Sequence, residues 1–302
     1  MGATTPEESK APTLRNGNPI PRIIYGTARR RGKAVPHVRT ALELGYRAID
    51  TASSRRFHHE AEDGRALREC LDAKSGEGGG LEPVGIFVQS KFAAPPGHDE
   101  PLPYELMDDT TVRMLKSVLR SADDLGVDVL DAYFLHAPLP TSEGTVQAWR
   151  VLEQLVCRGA VRYLGIANVP LPRLGRLYDR AEVKPAFVQN WFRKATAYDR
   201  DVVMFCREHR ITYQMFGVFD EANADLLDCE PVQRVARAAS ITNHQALLQL
   251  LLGTAAALGL HLCILDGTTS RDHMRENLFA VDHCGGLHKP DVERFRQLIG
   301  WV

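Results

Sequence analysis

Five polar side chains stand where short apolar runs stop. Asp50 follows Tyr46-Arg47-Ala48-Ile49, Lys91 follows Ile86-Phe87-Val88-Gln89-Ser90, and His136 follows Asp131-Ala132-Tyr133-Phe134-Leu135. Asn168 follows Gly165-Ile166-Ala167, and Gln189 follows Ala186-Phe187-Val188. An acid, an amine and an imidazole can move protons and stabilise charge that develops during a reaction. Each has an ordinary reading on its own. Asp50 can cap a helix, Lys91 can lie along the surface with its head in water, and His136 can be a hydrogen-bonded core residue. Five in register at the ends of successive runs point instead to one rim on which the runs converge.

The runs that carry these residues read as strands, at 22–25, 46–49, 85–89, 129–135, 162–166, 186–189, 211–215 and 260–265. Between them, apolar residues recur every three to four positions, as in Val38, Ala41, Leu42 and Leu44. That spacing predicts helices over 37–44, 108–125, 145–158, 200–208 and 244–258. Alternation of strand and helix predicts βαβ units and a parallel sheet. Eight strands in a chain of 302 residues favour a single (β/α)8 TIM barrel, with an open doubly wound sheet as the alternative. Barrel enzymes do their chemistry at the C-terminal ends of the strands. Residues 1–18 are expected to be a flexible lead-in and 19–302 the barrel. No G-x-G-x-x-G follows the first strand, where Gly26-Thr27-Ala28 lacks the glycine spacing of a Rossmann turn. Gly78-Gly79-Gly80 reads as a linker loop, and the short tail over 281–302 suggests an open pocket.

Composition narrows the function classes. The 25% charged residues sum to a net charge of -1, so no bulk field recruits nucleic acid or an anionic membrane. Arg29-Arg30-Arg31 and Arg55-Arg56 are short enough to be solvated loops. The six cysteines form no C-x-x-C pair, so neither a zinc site nor a disulfide framework is expected. Cys157, Cys206 and Cys263 lie in apolar runs and should pack as small hydrophobes. The polar N-terminus has no apolar core of a secretory signal, and no apolar stretch is long enough to span a membrane. These features suggest a cytoplasmic protein, monomeric or weakly self-associating, that acts on a small-molecule substrate. The cluster His58, His59, Glu60, Glu62 and Asp63 lacks metal-ligand spacing and reads as a loop entering a helix.

Taken in order, these segments resemble the aldo-keto reductase family from about residue 20 to 280. The Gly45-to-Ala52 stretch is similar to its second strand, Val88-Gln89-Ser90-Lys91-Phe92 to its lysine strand, and Leu130-to-Pro138 to its histidine strand. Gly159-to-Asn168 resembles the strand that presents a carboxamide-binding Asn, and Gly267-to-Asn277 the adenosine-phosphate loop of a fungal-type branch. The resemblance implies an NADPH-dependent oxidoreductase that transfers hydride to a carbonyl or activated alkene of a small metabolite. A Tyr donates the proton, a Lys paired with an Asp lowers the Tyr pKa, and a His orients the carbonyl. Asp50, Lys91 and His136 fill three of these four roles.

The fourth role marks a departure. No Tyr lies between Tyr46 and Tyr104. Counting forward from Asp50 and back from Glu60 and Gly64 gives its place to His58, or to Phe57 or His59 under a one-residue slip. Imidazole titrates near pH ~6.5 and can serve as a general acid. Lys91 should depress that value, and the Asp50 partnership should offset part of the effect. A purely packing role for His58, with carbonyl reduction lost, is the alternative.

The resemblance implies a cofactor set of Thr27, Asp50, Asn168, Gln189, Phe216, Gly217, Thr268, Thr269, Ser270, Arg271, His273 and Asn277. Asn168 and Gln189 would hold the nicotinamide amide. Phe216 would stack on its ring, or be a barrel-core aromatic. Gly267-Thr268-Thr269-Ser270 precedes a helix, whose free N–H groups can receive phosphate. Arg271 and His273 could meet a 2′-phosphate, which favours NADP(H). Gly267-Thr268 in place of the family's Lys-Ser, with Asp266 adjacent, leaves NAD(H) open. Two further functions compete: a non-redox dehydratase, isomerase or cyclase of secondary metabolism, and a silent subunit that still holds the dinucleotide.

Overall fold

The computed structural model describes residues 11–29, 34–72, 82–95 and 102–302. Eight parallel strands follow one another around a closed barrel: β1 (Ile23–Gly26), β2 (Ala48–Asp50), β3 (Phe87–Phe92), β4 (Leu130–Leu135), β5 (Val161–Ala167), β6 (Phe187–Trp191), β7 (Thr212–Phe216) and β8 (Leu262–Asp266). β8 pairs with β1, so no edge is left open. Outside lie α1 (Ala34–Leu44), α2 (Glu60–Asp72), α3 (Thr110–Leu125), α4 (Ser142–Cys157), α5 (Leu171–Arg180), α6 (Arg200–Glu208), the short α7 (Ala224–Leu227), α8 (Glu230–Ala239), α9 (Asn243–Leu258), α10 (Arg271–Asp282) and α11 (Lys289–Leu298). The expected strands all form, with ends displaced by up to three residues. Several run further toward their C-terminal ends, which places Asp50 and Lys91 inside strands rather than after them.

Alternation along the strands separates two cores. Outward residues such as Ile49, Val88, Tyr133 and Val188 pack beneath the helices. Inward residues Ala48, Phe87, Phe134 and Phe187 fill the barrel. Phe187 stacks on Phe134 at 5.8 Å and meets Phe87 edge-on at 5.7 Å. Gly165 makes this possible, because a Cβ there would collide with the Phe134 ring. Above this apolar plug the inward positions turn polar, first with Gln89, Gln189 and Gln214, then with Asp50 and Lys91.

Local signals set the helix ends. Asp109 caps α3 by accepting from the Val112 N–H, and Gly126 ends it in the left-handed region. Thr242 and Gln245 form a reciprocal capping box at the start of α9.

Two expectations change, on the lead-in and on Cys157. Residues 11–18 are not a loose lead-in: Thr13 bridges Pro19, and Leu14 is buried in the inner core. Residues 1–10, Arg30, Arg31 and the 78–80 glycines lie outside the described residues. Cys206 and Cys263 are buried, but Cys157 ends α4 and is exposed. The tail packs outward: α11 lies on α8 and α9, and Trp301 is buried with its Nε1 donating to the Tyr198 carbonyl at 2.9 Å. Among the described residues no helix is long and apolar enough to cross a membrane.

Candidate active site

An ion pair removed from water lies at the centre of the rim. Asp50 is 3% exposed and Lys91 1% exposed, with Lys91 Nζ 2.6 Å from Asp50 Oδ1. Desolvation cancels much of such a pair's attraction unless further hydrogen bonds complete it. Here they do. Lys91 Nζ also donates to the Thr51 carbonyl at 2.8 Å. Asp50 Oδ1 also accepts from Gln89 Nε2 and, at 3.1 Å, from Gln189 Nε2. Both glutamines donate to Gln214 Oε1 at 2.8 Å, and Gln214 Nε2 returns a bond to Gln89 Oε1. The glutamine layer thus holds the carboxylate from below.

His58 comes beside this pair. The 54–58 turn closes with the His58 N–H on the Ser54 carbonyl, and the Arg29 N–H holds it to the β1–α1 loop through the Phe57 carbonyl. The imidazole is buried and meets the His136 ring edge-on at 6.1 Å. Burial, then the charges of Lys91, His136 and His59, hold it neutral, well below the ordinary histidine range. Burial itself opposes the cation, and Asp50 is held by Lys91, Gln89 and Gln189 rather than by the imidazole. Of the two slip alternatives, Phe57 shares the cleft, at its mouth under the Arg56 guanidinium, and His59 does not line it.

His136 directly follows β4, its N–H donating to the Phe92 carbonyl. Its own carbonyl accepts from Asn168 Nδ2 at 2.9 Å. Asn168 has φ +53°, a left-handed conformation that asparagine tolerates better than most residues. Asn168 therefore lines the cleft while its side chain also braces the histidine loop.

A cleft of about 830 Å³ runs from His58 across the barrel mouth to α10. Of the expected residues, Asp50, His58, Lys91, His136, Asn168, Gln189, Phe216, Gly217, Thr268, His273 and Asn277 line it. Thr27, Thr269, Ser270 and Arg271 do not. The Thr27 hydroxyl turns to Asp63, Ser270 caps α10 by accepting from the His273 N–H, and Arg271 pairs with Glu43 at 3.6 Å. No residue of the 281–302 tail lines the cleft.

Sequence reasoning missed several groups. Trp191 lies 6.2 Å from Phe216 and nearly parallel to it, forming an aromatic wall. Gly217 is needed there, because a Cβ would strike Trp191 and Asp220. Asp266 is buried at the far end, where it accepts from Tyr46 Oη, Asn277 Nδ2 and the Thr268 N–H. Glu60 and Asp63 are buried acids on the first turn of α2. The sequence held a signal for them, since Glu60, Asp63, Leu67 and Cys70 form a stripe at three- and four-residue spacing, on the face that Leu67 and Cys70 turn inward. Burial pushes both carboxyls up to about 7, although hydroxyls of Ser90 and Ser121 partly counter this for Glu60, and those of Thr51 and Thr27 for Asp63.

The arrangement fits a nicotinamide dinucleotide. The paired rings of Trp191 and Phe216, beside Asn168 and Gln189, offer a flat slot next to the ion pair. The glycines at 26, 217 and 267 line the cleft without side chains, which permits close approach of a large ligand.

The sequence profile of the aldo/keto reductase family matches residues 22–299. The uncharacterized oxidoreductase YtbE of Bacillus subtilis is 27% identical over 298 residues, covering 98% of this chain and 94% of that protein. The aldose reductase of Encephalitozoon cuniculi is 26% identical over 292 residues, covering 89% and 88%. A crystal structure of a Gox0644 mutant in complex with NADPH shares the fold, with a TM-score of 0.71 at 23% identity, covering 96% of this chain and 94% of that one. By its ordered strand-end residues, its closed barrel and this match over nearly the whole chain, the protein belongs to the aldo/keto reductase family.

Proposed function

We propose that the protein is an NADPH-dependent reductase of a carbonyl, or of an activated alkene, in a small organic metabolite. The observation that carries this reading is the convergence of Asp50, Lys91, His58 and His136 on one cleft beside an aromatic slot. The family membership supports it, as does the NADPH bound to the Gox0644 relative. Asn168 and Gln189 would hold the nicotinamide amide, Phe216 and Trp191 would face its ring, and Thr268, His273 and Asn277 would meet the adenosine end. The bound cofactor supplies hydride. The chain's own residues place the carbonyl oxygen between His58 and His136 and donate a proton to it. Lys91, fixed by Asp50, provides the positive field that favours negative charge on that oxygen.

His58 stands, in this reading, where the family has its Tyr. Its burial against Lys91 and His136 supports the assignment over Phe57 and His59. The adenosine loop and the His58 substitution suggest a fungal-type branch and a substrate from secondary metabolism. The free thiols are in keeping with a reducing cytoplasm.

The test is a titration of the purified protein with NADPH, followed by nicotinamide fluorescence, then NADPH oxidation with a panel of aldehydes and quinones. Saturable binding and measurable turnover are expected. Absence of a saturable signal up to millimolar NADPH would overturn the reading. Binding without any carbonyl reduction would move it to the non-redox acid–base alternative.

A further inference from the structure

A neutral imidazole raises a difficulty for the proton step. Burial and three neighbouring bases oppose an imidazolium at position 58. A neutral ring can still give up its Nε2 proton, but only if Nδ1 is resupplied at the same time.

Behind His58 lies a row of groups able to do this. Thr27 Oγ1 is 3.4 Å from His58 Nδ1 and 2.8 Å from Asp63 Oδ2. Thr51 Oγ1 also donates to Asp63 Oδ2 at 2.8 Å, while Asp63 Oδ1 is buried without a hydrogen-bond partner. The row starts on α2, passes through the residue after β1 and ends at the cleft. Asp63 and Thr27 are each 1% exposed, so bulk solvent does not reach the row. A carboxyl serving only to pack would be poorly suited to this place, because one oxygen is left unsatisfied.

We propose that Asp63 is the proton reservoir of the reaction, delivering through the Thr27 hydroxyl to His58 Nδ1 as His58 Nε2 protonates the substrate oxygen. This rests on the reading of His58 as proton donor. Before the step Asp63 is a carboxylic acid that donates from Oδ2 to Thr27 Oγ1, the reverse of the bond that a carboxylate there accepts, the Thr27 hydroxyl points to His58 Nδ1, and His58 carries hydrogen on Nε2. The carbonyl carbon accepts hydride and its oxygen takes the Nε2 proton. Nδ1 takes the Thr27 hydroxyl proton, and Thr27 Oγ1 takes the Asp63 proton. The products are an alcohol, a neutral His58 with hydrogen on Nδ1, and an Asp63 carboxylate. No imidazolium forms. After product leaves, Nε2 takes a proton from water and the row shifts back. Asp63 is in this scheme a positioning residue, acting through two others.

The groups around the row agree with this protonation. Lys91 from β3, His136 after β4 and neighbouring His59 disfavour charge on His58. Asp50 from β2 and Glu62 disfavour charge on Asp63, while Thr27 and Thr51 favour it. The balance leaves the Asp63 carboxyl titrating at about 7, where it can both hold and release a proton. Glu60 titrates in the same range, but its oxygens bond Ser90 and Ser121 rather than this row.

The experiment pairs two readouts on wild type, Asp63→Asn, Thr27→Val, Thr27→Ser and Glu60→Gln. Nitrogen NMR of the cofactor-free protein reports which His58 nitrogen carries hydrogen across the pH range, and single-turnover reduction reports the proton step. In wild type, Thr27→Ser and Glu60→Gln, His58 should pass from Nε2–H to Nδ1–H as pH rises through about 7, and the reduction rate should fall over the same range. Thr27→Val and Asp63→Asn should lose the tautomer change, lose the inflection near pH 7, and react at least about tenfold more slowly at acid pH. If Asp63→Asn does not fold, the Thr27 pair decides the matter. A wild-type His58 that keeps one tautomer throughout, or a switch that survives Thr27→Val, overturns the proposal. So does a switch lost in Glu60→Gln. The NMR readout stands even if wild type binds NADPH and reduces no carbonyl, so failure of the relay and failure of the reductase reading are distinguishable.

Discussion

The two ends of the cleft are built on opposite plans. At the reaction end, Asp50, Lys91 and His58 are buried, and Asp50 Oδ1 alone accepts from three nitrogens. At the α10 end, Arg271 is spent on Glu43, Arg275 on Asp272, and His273 is exposed, while the half-buried Glu276 puts a carboxylate on the cleft wall. The first end is a set of interlocked charges in a medium that screens little; the second is a loop of pairs that water and salt can screen. Changes at the first end should therefore cost orders of magnitude and whole kilocalories, and changes at the second only small factors in affinity.

The largest effect should follow Lys91→Met. It leaves Asp50 buried without its cation, which should cost on the order of 3–5 kcal/mol in urea unfolding and remove most single-turnover activity. A loss under about 1 kcal/mol would break the contrast between the ends.

Next come the buried acids. Glu60 and Asp63 rise from ordinary carboxylate values to about 7 in the folded chain. The native state then holds protons that the unfolded state has released. Stability should fall as pH rises from about 4.5 to about 7 and level off above that. His58 works in the opposite sense, because its neutral native form costs stability once pH falls below about 6.5. Glu60→Gln removes one share of the acid effect. Its unfolding free energy should drop less than that of wild type between about pH 5 and pH 8, by on the order of 2–3 kcal/mol. Parallel curves for the two proteins would contradict the assignment.

His58→Tyr should keep or raise aldehyde reduction, since a phenol beside Lys91 restores a donor with a lowered pKa. His58→Phe should reduce it by about 100-fold, within the range that a lost general acid costs. Equal activity of the Phe variant and wild type would remove His58 from the chemistry.

The smallest effect belongs to the far end. Glu276→Gln removes a half-buried carboxylate from the cleft wall and leaves the backbone carbonyl to which Gln245 Nε2 donates. NADPH should bind about three- to tenfold more tightly at low salt, with the gain shrinking as salt rises. A salt-independent change would mean that the loop moved instead.

Much of this was legible before the fold was seen, and the parts that were not share a cause. Short apolar runs marked every strand, five of them ending at a polar stop, because a barrel strand must be apolar on both faces until it reaches the rim. The same stops named Asp50, Lys91, His136, Asn168 and Gln189. What could not be read was the direction of polar side chains on polar segments. The stretch 58–63 reads as a loop entering a helix, and it is one, but its charge gave no sign that Leu67 and Cys70 roll Glu60 and Asp63 inward. The family resemblance gives Thr27 to the cofactor, but an acid from another element claims its hydroxyl. Leu14 lies in a polar stretch and gave no periodicity, although the inner core takes it in. Tertiary partners settle such cases, and a local window does not contain them.

The central claim is that this cleft delivers hydride to a carbonyl carbon with His58 protonating the oxygen. Single turnover of NADPH deuterated at the transferring C4 position, with an aldehyde substrate, tests it most directly. The account predicts deuterium on the carbinol carbon of the product, appearing about 100-fold more slowly in His58→Phe than in wild type. A saturably bound NADPH that leaves the aldehyde unlabelled would contradict it.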